Sequence, residues 1–215
     1  MENLLNFPPS TIVNKVVPKN AFYGRSAQKT WLKDLLTHEF ESITWLYKLT
    51  AQTMNVADGD KVHEIDVFLC RMKEDRYSIN PFCGMDELLP RHTMFIIEYG
   101  GHTDQLMHYK EKNLVRGEEK WKLGNTELLR EVDLSEFHLQ LTGTSLDSVY
   151  YGLLGQVSGL NTHSETEYEQ AASNRKIKLQ LQNQLATLEK RCRAEKQPRR
   201  KYELHQQILK IKEQL

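Results

Sequence analysis

A Glu-x-Lys tripeptide and an aspartate on an expected strand are residues whose types could together perform chemistry. The tripeptide Glu118–Lys120 has the letters that nucleases of the restriction-endonuclease type use to hold Mg²⁺ and position water. Asp66 is the candidate partner acid on another strand. Such a tripeptide is common by chance when 27% of residues are charged, and this one follows Arg116-Gly117 in an expected turn. A metal-dependent DNA nuclease using Asp66, Glu118 and Lys120 is therefore the alternative hypothesis.

Three histidines and a cysteine suggest a second kind of chemistry, metal binding. His92, His102 and His108 lie around one expected hairpin, and Cys83 is nearby in the sequence. None of them falls at the spacing of a closed zinc site, and the histidines are expected on different registers of the strands. We therefore predict no metal site, and we interpret the histidines as surface or capping residues.

Other motifs that would indicate catalysis are missing from the sequence. Gly100-Gly101 lacks the residues that surround the glycines of a P-loop or a dinucleotide fingerprint. There is no Gly-x-Ser-x-Gly elbow, and Cys70 lies in an apolar alternation typical of a small core residue. We therefore predict no cofactor and no covalent catalysis, so an enzyme is the less favoured interpretation.

Length and composition are typical of a globular protein of one or two domains. The chain has 215 residues and only three cysteines, an odd number without metal-ligand spacing, which indicates a reducing compartment. The N-terminus has neither a basic region nor an apolar core, and no apolar run is long enough for a membrane helix. We therefore expect a cytoplasmic protein that is neither exported nor embedded in a membrane.

Hydrophobic periodicity predicts an α+β body whose sheet is mostly antiparallel and is packed by helices. Residues 1–22 contain three prolines and are expected to form an irregular arm. Asp147 is expected to complete a capping box at the start of the last helix of the body. The other predicted elements are a helix capped by Ser26, strands at 43–49, 65–70, 93–99 and 105–110, a helical turn at 85–89, an edge strand at 121–123 and a helix at 145–157.

The C-terminal segment predicts an antiparallel α-helical hairpin of the coiled-coil type. Apolar residues step by three and four in two sections, which Pro198 separates. Proline inside a helix costs about 3 kcal/mol, so two helices folded back are favoured over one kinked rod. The seam residues, which we predict to bind a partner, are Ile177, Leu181, Leu185, Leu188, Leu204, Ile208 and Ile211.

Charge is unevenly distributed, although 29 Lys and Arg balance 29 Asp and Glu over the whole chain. From Asn174 to Leu215 there are 12 basic residues against 4 Glu, a net charge of +8, which leaves −8 for the preceding 173 residues. A basic cluster can neutralise DNA phosphates, meet an acidic patch on a partner, or stay solvated, and the sequence leaves these three open. The cluster at the predicted hairpin tip consists of Lys190, Arg191, Arg193, Lys196, Arg199, Arg200 and Lys201.

The chain resembles a bacterial family known as domain of unknown function 4391. The resemblance covers nearly the whole length, and it lies in the segments 45–49, 95–100, 109–112, 195–197 and 200–204. No catalytic residues are established for that family, so none is carried over. The resemblance implies a genomic context, because genes of this family tend to lie beside those for a large helicase-like ATPase and a DNA methyltransferase in restriction or anti-phage loci.

We therefore predict a body at residues 1–157, a linker at 158–168 and a basic coiled-coil hairpin at 169–215. The predicted function is that of a non-catalytic accessory or adaptor subunit of a bacterial restriction-modification or anti-phage defence complex. It would dock onto a helicase-like ATPase or a DNA methyltransferase. Contact with DNA and self-association through the hairpin stay open, and no membrane partner is expected.

Overall fold

A computed structural model describes residues 3–23, 30–115 and 118–215 of the chain, with the side chains of 114, 115 and 118–120 left undescribed. The chain divides into two compact units, Met1–Glu165 and Thr166–Leu215, which we call the body and the tail. In the described ranges, no helix is both long enough and apolar enough to cross a membrane.

Six strands and seven α-helices make up the described part of the chain, and a short 3-10 turn at Pro9–Thr11 precedes them. The strands are β1 (Ile12–Val16), β2 (Phe40–Thr50), β3 (Glu64–Met72), β4 (His92–Tyr99), β5 (His102–Val115) and β6 (Glu118–Leu129). The helices are α1 (Asn20–Tyr23), α2 (Thr30–Glu39), α3 (Ala51–Met54), α4 (Asn80–Leu88), α5 (Leu146–Ser158), α6 (Glu165–Ala194) and α7 (Pro198–Lys212).

The strands form one sheet in the order of the sequence, from β1 to β6. Every neighbouring pair is antiparallel except β3 and β4, which run parallel because α4 crosses between them. The predicted α+β class and the mostly antiparallel sheet are thus confirmed. The hairpin between β4 and β5 turns at Gly100 and Gly101, whose φ angles of 50° and 81° favour glycine.

The sheet is covered on both faces, and β3 is buried along nearly its whole length. On one face, Phe68 and Phe95 pack in the same core as Leu36 of α2 and Phe82 of α4. Alternate strand residues point to the opposite face, where α5 packs with the Tyr151 ring 6.4 Å from that of Tyr109. Burial on both faces explains why the apolar runs in β3 and β4 are almost continuous.

Several predicted elements are confirmed, although most of them are longer than predicted. The strand expected at 121–123 is the twelve-residue β6, and the helical turn expected at 85–89 is the nine-residue α4. The tripeptide 118–120, expected in a turn, therefore begins a strand. The first predicted helix is present as α2 from Thr30 onwards, whereas its expected cap, Ser26, lies outside the described residues.

The prediction of an irregular arm over residues 1–22 was wrong in part, because residues 12–16 pair with β2 as an edge strand. Pro8 and Pro9 lie before this strand and so do not remove a donor from its ladder. The segment before the strand is fixed by Tyr47, whose hydroxyl accepts a hydrogen bond from the backbone N–H of Leu5 at 3.1 Å.

The expected capping role of Asp147 was also wrong. The cap of α5 is Ser145, which exchanges hydrogen bonds with Ser148. The carboxylate of Asp147 accepts instead from the backbone N–H groups of residues 60, 61 and 62, at 2.8, 3.2 and 2.8 Å. It therefore ties the loop before β3 to the first turn of α5.

In the tail, α6 and α7 form the predicted helical hairpin. Three residues join the helices, and Pro198 occupies the first position of α7, where a missing N–H costs nothing. Lys212 Nζ lies 3.0 Å from Glu189 Oε1, although 23 positions separate them, so the chain must fold back on itself. The first helix begins at Glu165, within the segment expected to be a linker.

We expect Asp147→Ala to lower the free energy of unfolding by about 1–2 kcal/mol, because three backbone donors lose a charged acceptor at a partly exposed site. Urea unfolding at neutral pH measures the change. Asp133→Ala is the matched control, since this exposed carboxylate bonds within its own turn, to Ser135 and the backbone of Glu136. Equal losses in the two variants would contradict the role given to Asp147.

Candidate functional site

A buried carboxylate on α4, Asp86, collects three side chains from the sheet. Its Oδ2 lies 2.9 Å from His108 Nδ1, and its Oδ1 accepts from Lys110 Nζ at 2.9 Å and from the Thr93 hydroxyl at 2.6 Å. His108 and Lys110 are two positions apart on β5 and therefore share a face of the sheet. Burial alone would raise the pKa of Asp86, but the bond with His108 and the charge of Lys110 hold it below its usual range.

Lys110 also fixes the end of α4. Its ammonium donates to the backbone carbonyls of Asp86, Leu89 and Arg91 at 2.6, 2.7 and 2.7 Å, and it lies 4.8 Å from the centre of the Trp121 ring. A cation here also complements the negative end of the helix dipole. Burial lowers the pKa of Lys110, and the charge of Asp86 opposes that effect.

His108 completes a row of three groups that begins at a thiol. Its Nε2 lies 3.2 Å from Cys83 Sγ, while its Nδ1 meets Asp86. Burial opposes a charge on the ring, but the hydrogen bonds with Asp86 and Cys83 raise the pKa of His108 to about 9. The imidazole is therefore protonated at neutral pH, between a carboxylate and a sulfur atom.

A cleft of about 460 Å³ lies on the body where β3 and β4 begin. Inside it, the Glu64 carboxylate accepts from Lys48 at 2.9 Å and from Arg91. Burial raises the pKa of Glu64, but these two cations outweigh that effect and lower it. The lining residues are Lys48, Lys61, His63, Glu64, Pro90, Arg91, His92, Lys112 and Trp121.

Asp66 is buried beside this cleft. Its side chain is only 2% exposed, its Oδ2 lies 3.1 Å from Arg91 Nη1, and its Oδ1 has no hydrogen-bond partner among the described residues. Burial raises the pKa of Asp66 to about 7, although the charge of Arg91 acts in the opposite direction. This carboxyl group therefore exchanges its proton near neutral pH.

The residues of the nuclease hypothesis are on two strands that are not neighbours in the sheet. Asp66 is on β3 and the tripeptide 118–120 is on β6, and β4 and β5 lie between these strands. Three strand spacings correspond to about 14 Å across the sheet. The side chains of Glu118 and Lys120 lie outside the described residues, so the hypothesis stays a prediction.

The histidines that suggested a metal lie in three different surroundings. His92 lines the cleft and packs 4.4 Å from the Tyr150 ring, His102 packs 5.7 Å from the Tyr99 ring, and His108 is in the buried network. Within the part of the chain that the structure describes, no three His, Cys, Asp or Glu residues are placed to hold a metal ion.

The residues predicted to bind a partner lie on both helices of the tail. Ile208 is buried, whereas Ile177 is 51% exposed. The other five, which are half-buried, are Leu181, Leu185, Leu188, Leu204 and Ile211. The seven cations of the predicted basic cluster are all exposed, and the Arg199 side chain reaches 93%.

Sequence reasoning missed the row formed by Cys83, His108 and Asp86. The three residues are on two elements, and only the packing of α4 against the sheet brings them together. One signal was present: His108 and Lys110 follow the apolar Leu106 at a spacing of two, so two polar side chains share a strand face with an apolar one. Such a pattern indicates a buried polar partner on the covering element.

The body is thus an α+β protein in which a mixed six-stranded sheet carries a buried ionic network and a charged cleft, and a helical hairpin follows it. The chain belongs to the family described as Domain of unknown function (DUF4391), whose sequence profile matches residues 5–215. Neither the search of curated proteins nor the search of solved structures returned a match.

We expect Asp66→Asn to stabilise the chain at about pH 8 and to change little at about pH 4. The pKa of Asp66 is about 7 in the folded chain against an ordinary value of 3.8, so folding resists ionisation and stability falls as the pH rises between these values. At about 1.4 kcal/mol per pKa unit, the gain at high pH is on the order of 2–4 kcal/mol.

Urea unfolding at several pH values tests this expectation. Asp34→Asn is the matched control, because Asp34 is an exposed carboxylate on α2 and its removal should shift stability little at any pH. A lower stability of Asp66→Asn at high pH would show that the Arg91 contact favours the ionised carboxylate instead.

Proposed function

We propose that this protein is an accessory subunit of a bacterial restriction-modification or anti-phage complex, and that its tail docks onto a helicase-like ATPase or a DNA methyltransferase. The observation that carries the proposal is the exposed start of the apolar seam on α6. Ile177 is the first residue of that seam and is 51% exposed. Leu179 is 57% exposed but is two positions further along the helix, so it faces away from the seam. Apolar side chains left in water beside a polar rim are typical of a surface that a partner covers.

The lengths of the two helices explain why Ile177 stays uncovered within the hairpin. Helix α6 has 30 residues and α7 has 15, which correspond to about 45 and 22 Å at the helical rise. The shorter helix can therefore cover only the half of α6 that is closer to the turn. Ile177 precedes that half, which favours coiled-coil pairing of the free part of the seam with a partner helix.

The charge of the tail indicates the chemistry of the surface that a partner would present. Seven exposed cations at the tip suit an acidic rim, and the uncovered seam suits an apolar strip inside that rim. A second copy of the chain, paired through the same seam in a parallel arrangement, would place the two positive tips side by side. A different protein with an acidic surface is therefore the favoured occupant.

We expect Ile177→Ser/Leu181→Ser to weaken binding to the partner at least about tenfold, since these two seam residues share one face of α6 and each anchor side chain contributes on the order of 1 kcal/mol. The full-length tagged chain is purified from cells that also express a helicase-like ATPase and a DNA methyltransferase of the proposed complex. The partner recovered is then titrated against each purified variant by calorimetry.

The matched control is Ile12→Ser/Val16→Ser, which removes two apolar side chains of the body that are 44% and 68% exposed. It should leave the affinity unchanged. Equal weakening by both double variants, or none by the tail variant, would contradict docking through α6. Sedimentation of the chain alone measures self-association. A stable dimer would show that the seam pairs with a second copy of the chain and not with a different protein.

A second candidate function is binding of DNA phosphates by the basic tip. The observation that favours it is seven exposed cations within twelve positions. No aromatic side chain lies between residues 190 and 201 to stack on bases, so the binding would be independent of sequence.

For this candidate we expect Arg199→Gln/Arg200→Gln/Lys201→Gln to reduce the slope of log affinity against log salt by about 3, because each phosphate contact contributes about 0.9. Fluorescence anisotropy with duplex DNA at several salt concentrations measures the slope. Lys33→Gln/Arg76→Gln/Lys122→Gln removes the same charge from exposed positions of the body and should leave the slope unchanged. A salt-independent affinity would exclude phosphate binding by the tip.

A further inference from the structure

We infer that Cys83 and His108 form a thiolate–imidazolium pair oriented by Asp86, and that this pair makes Cys83 a site of reversible covalent modification by disulfides. The three groups form a continuous row. Cys83 Sγ lies 3.2 Å from His108 Nε2, and His108 Nδ1 lies 2.9 Å from Asp86 Oδ2. This site is on the body and is independent of the docking proposed for the tail.

Asp86 fixes the tautomer of His108, so Nε2 is the ring nitrogen that can exchange a proton with the Cys83 thiol. A carboxylate only accepts hydrogen bonds, so Nδ1 must carry a proton and donate it to Asp86. Nε2 then has two ways to meet Cys83: it accepts from a neutral thiol, or it donates to a thiolate. A nucleophile and an oriented base in this arrangement are the requirements for an activated thiol.

The charges around the pair favour the thiolate. Among the described residues, the buried charged groups that face it are Asp86 on α4 and Lys110 on β5, and Arg91 near Lys110 is paired with Glu64. A His108 that donates from both ring nitrogens adds a second cation, so two cations meet one carboxylate among groups that are almost fully buried. A thiolate at Cys83 brings this cluster to neutrality, which a region of low dielectric favours.

The three residues differ in burial, and only Cys83 is accessible to a reagent in solvent. The side chains of His108 and Asp86 are 0% and 1% exposed, whereas Cys83 is partly exposed, in the first turn of the nine-residue α4. The positive end of that helix also favours a negative sulfur. Of the other cysteines, Cys70 is fully buried, and burial raises the pKa of its thiol, while the Cys192 thiol donates to the Lys201 carbonyl oxygen at 3.7 Å.

The reaction with a disulfide conserves both atoms and charge. The Cys83 thiolate attacks one sulfur, a new S–S bond forms, the old S–S bond breaks, and the leaving thiolate takes the proton from His108 Nε2. His108 becomes neutral at the moment Cys83 loses its negative charge. The buried groups that remain charged, Asp86 and Lys110, then balance each other, so modification leaves no uncompensated charge in the network.

The test is the rate of reaction with an aromatic disulfide, dithiobis(nitrobenzoate), measured from about pH 5 to about pH 9. Two folded chains are compared, Cys192→Ser, which keeps Cys83, and Cys83→Ser, which keeps Cys192. At about pH 6 we expect Cys83 to react at least about tenfold faster than Cys192. The rate at Cys83 should change little with pH between about 6 and 8, whereas the reaction rate of a thiol without such a pair rises about tenfold per pH unit below its pKa.

Two further measurements separate an activated thiol from one that is merely accessible. The ultraviolet absorbance of a thiolate should be present at about pH 6 in Cys192→Ser and lost in the double variant Cys83→Ser/Cys192→Ser. Asp86→Asn, if folded by circular dichroism, should restore the ordinary pH dependence at Cys83. A rate at Cys83 that rises tenfold per pH unit in the Cys192→Ser chain, or a thiol that does not react at any pH, would overturn the proposal.

Discussion

The carboxylate of Asp86 is the group on which the architecture of the body depends. It is fully enclosed, and a buried charge is tolerated only when opposite charges and donors surround it. Its partners come from β4 and β5, so α4 can cross the sheet in one position only. Lys110, which neutralises Asp86, also holds the carbonyls that end α4 and thereby places Arg91 at the mouth of the cleft. One buried ion therefore connects the crossover helix, the thiol and the charged cleft.

The cleft and the network differ in how their charges are balanced. In the cleft, Glu64 forms ion pairs with Lys48 and Arg91, and burial raises the pKa of neighbouring Asp66. The first carboxylate is therefore paired, and the second is partly protonated near neutral pH. In the network, two cations share one carboxylate, and the thiol of Cys83 is the nearest group that can supply a second negative charge. The first arrangement stabilises the beginning of two strands, and the second leaves a reactive group at the surface.

The tail follows different physical rules from the body. Its helices bury few apolar side chains, and its net charge of +8 from Asn174 onwards opposes the −8 of the preceding residues. Helix α6 is twice as long as α7, so α7 cannot cover the whole apolar seam of α6. A surface that is both basic and partly apolar fits a docking element, and it explains why the chemistry of the body and the proposed partner contact involve separate residues.

The sequence by itself determined the features that depend on local periodicity and turn chemistry. Gly100-Gly101 between two alternating runs indicated the hairpin of β4 and β5, and Pro198 between two apolar seams indicated the break between α6 and α7. Only the tertiary structure decided that β3 and β4 are parallel, that residues 12–16 pair at the sheet edge, and that Asp147 binds a loop rather than caps its helix. It also decided the row of Cys83, His108 and Asp86. A strand pattern records which residues face the core, but not which side chain of the covering helix meets them, because that depends on how the two elements pack.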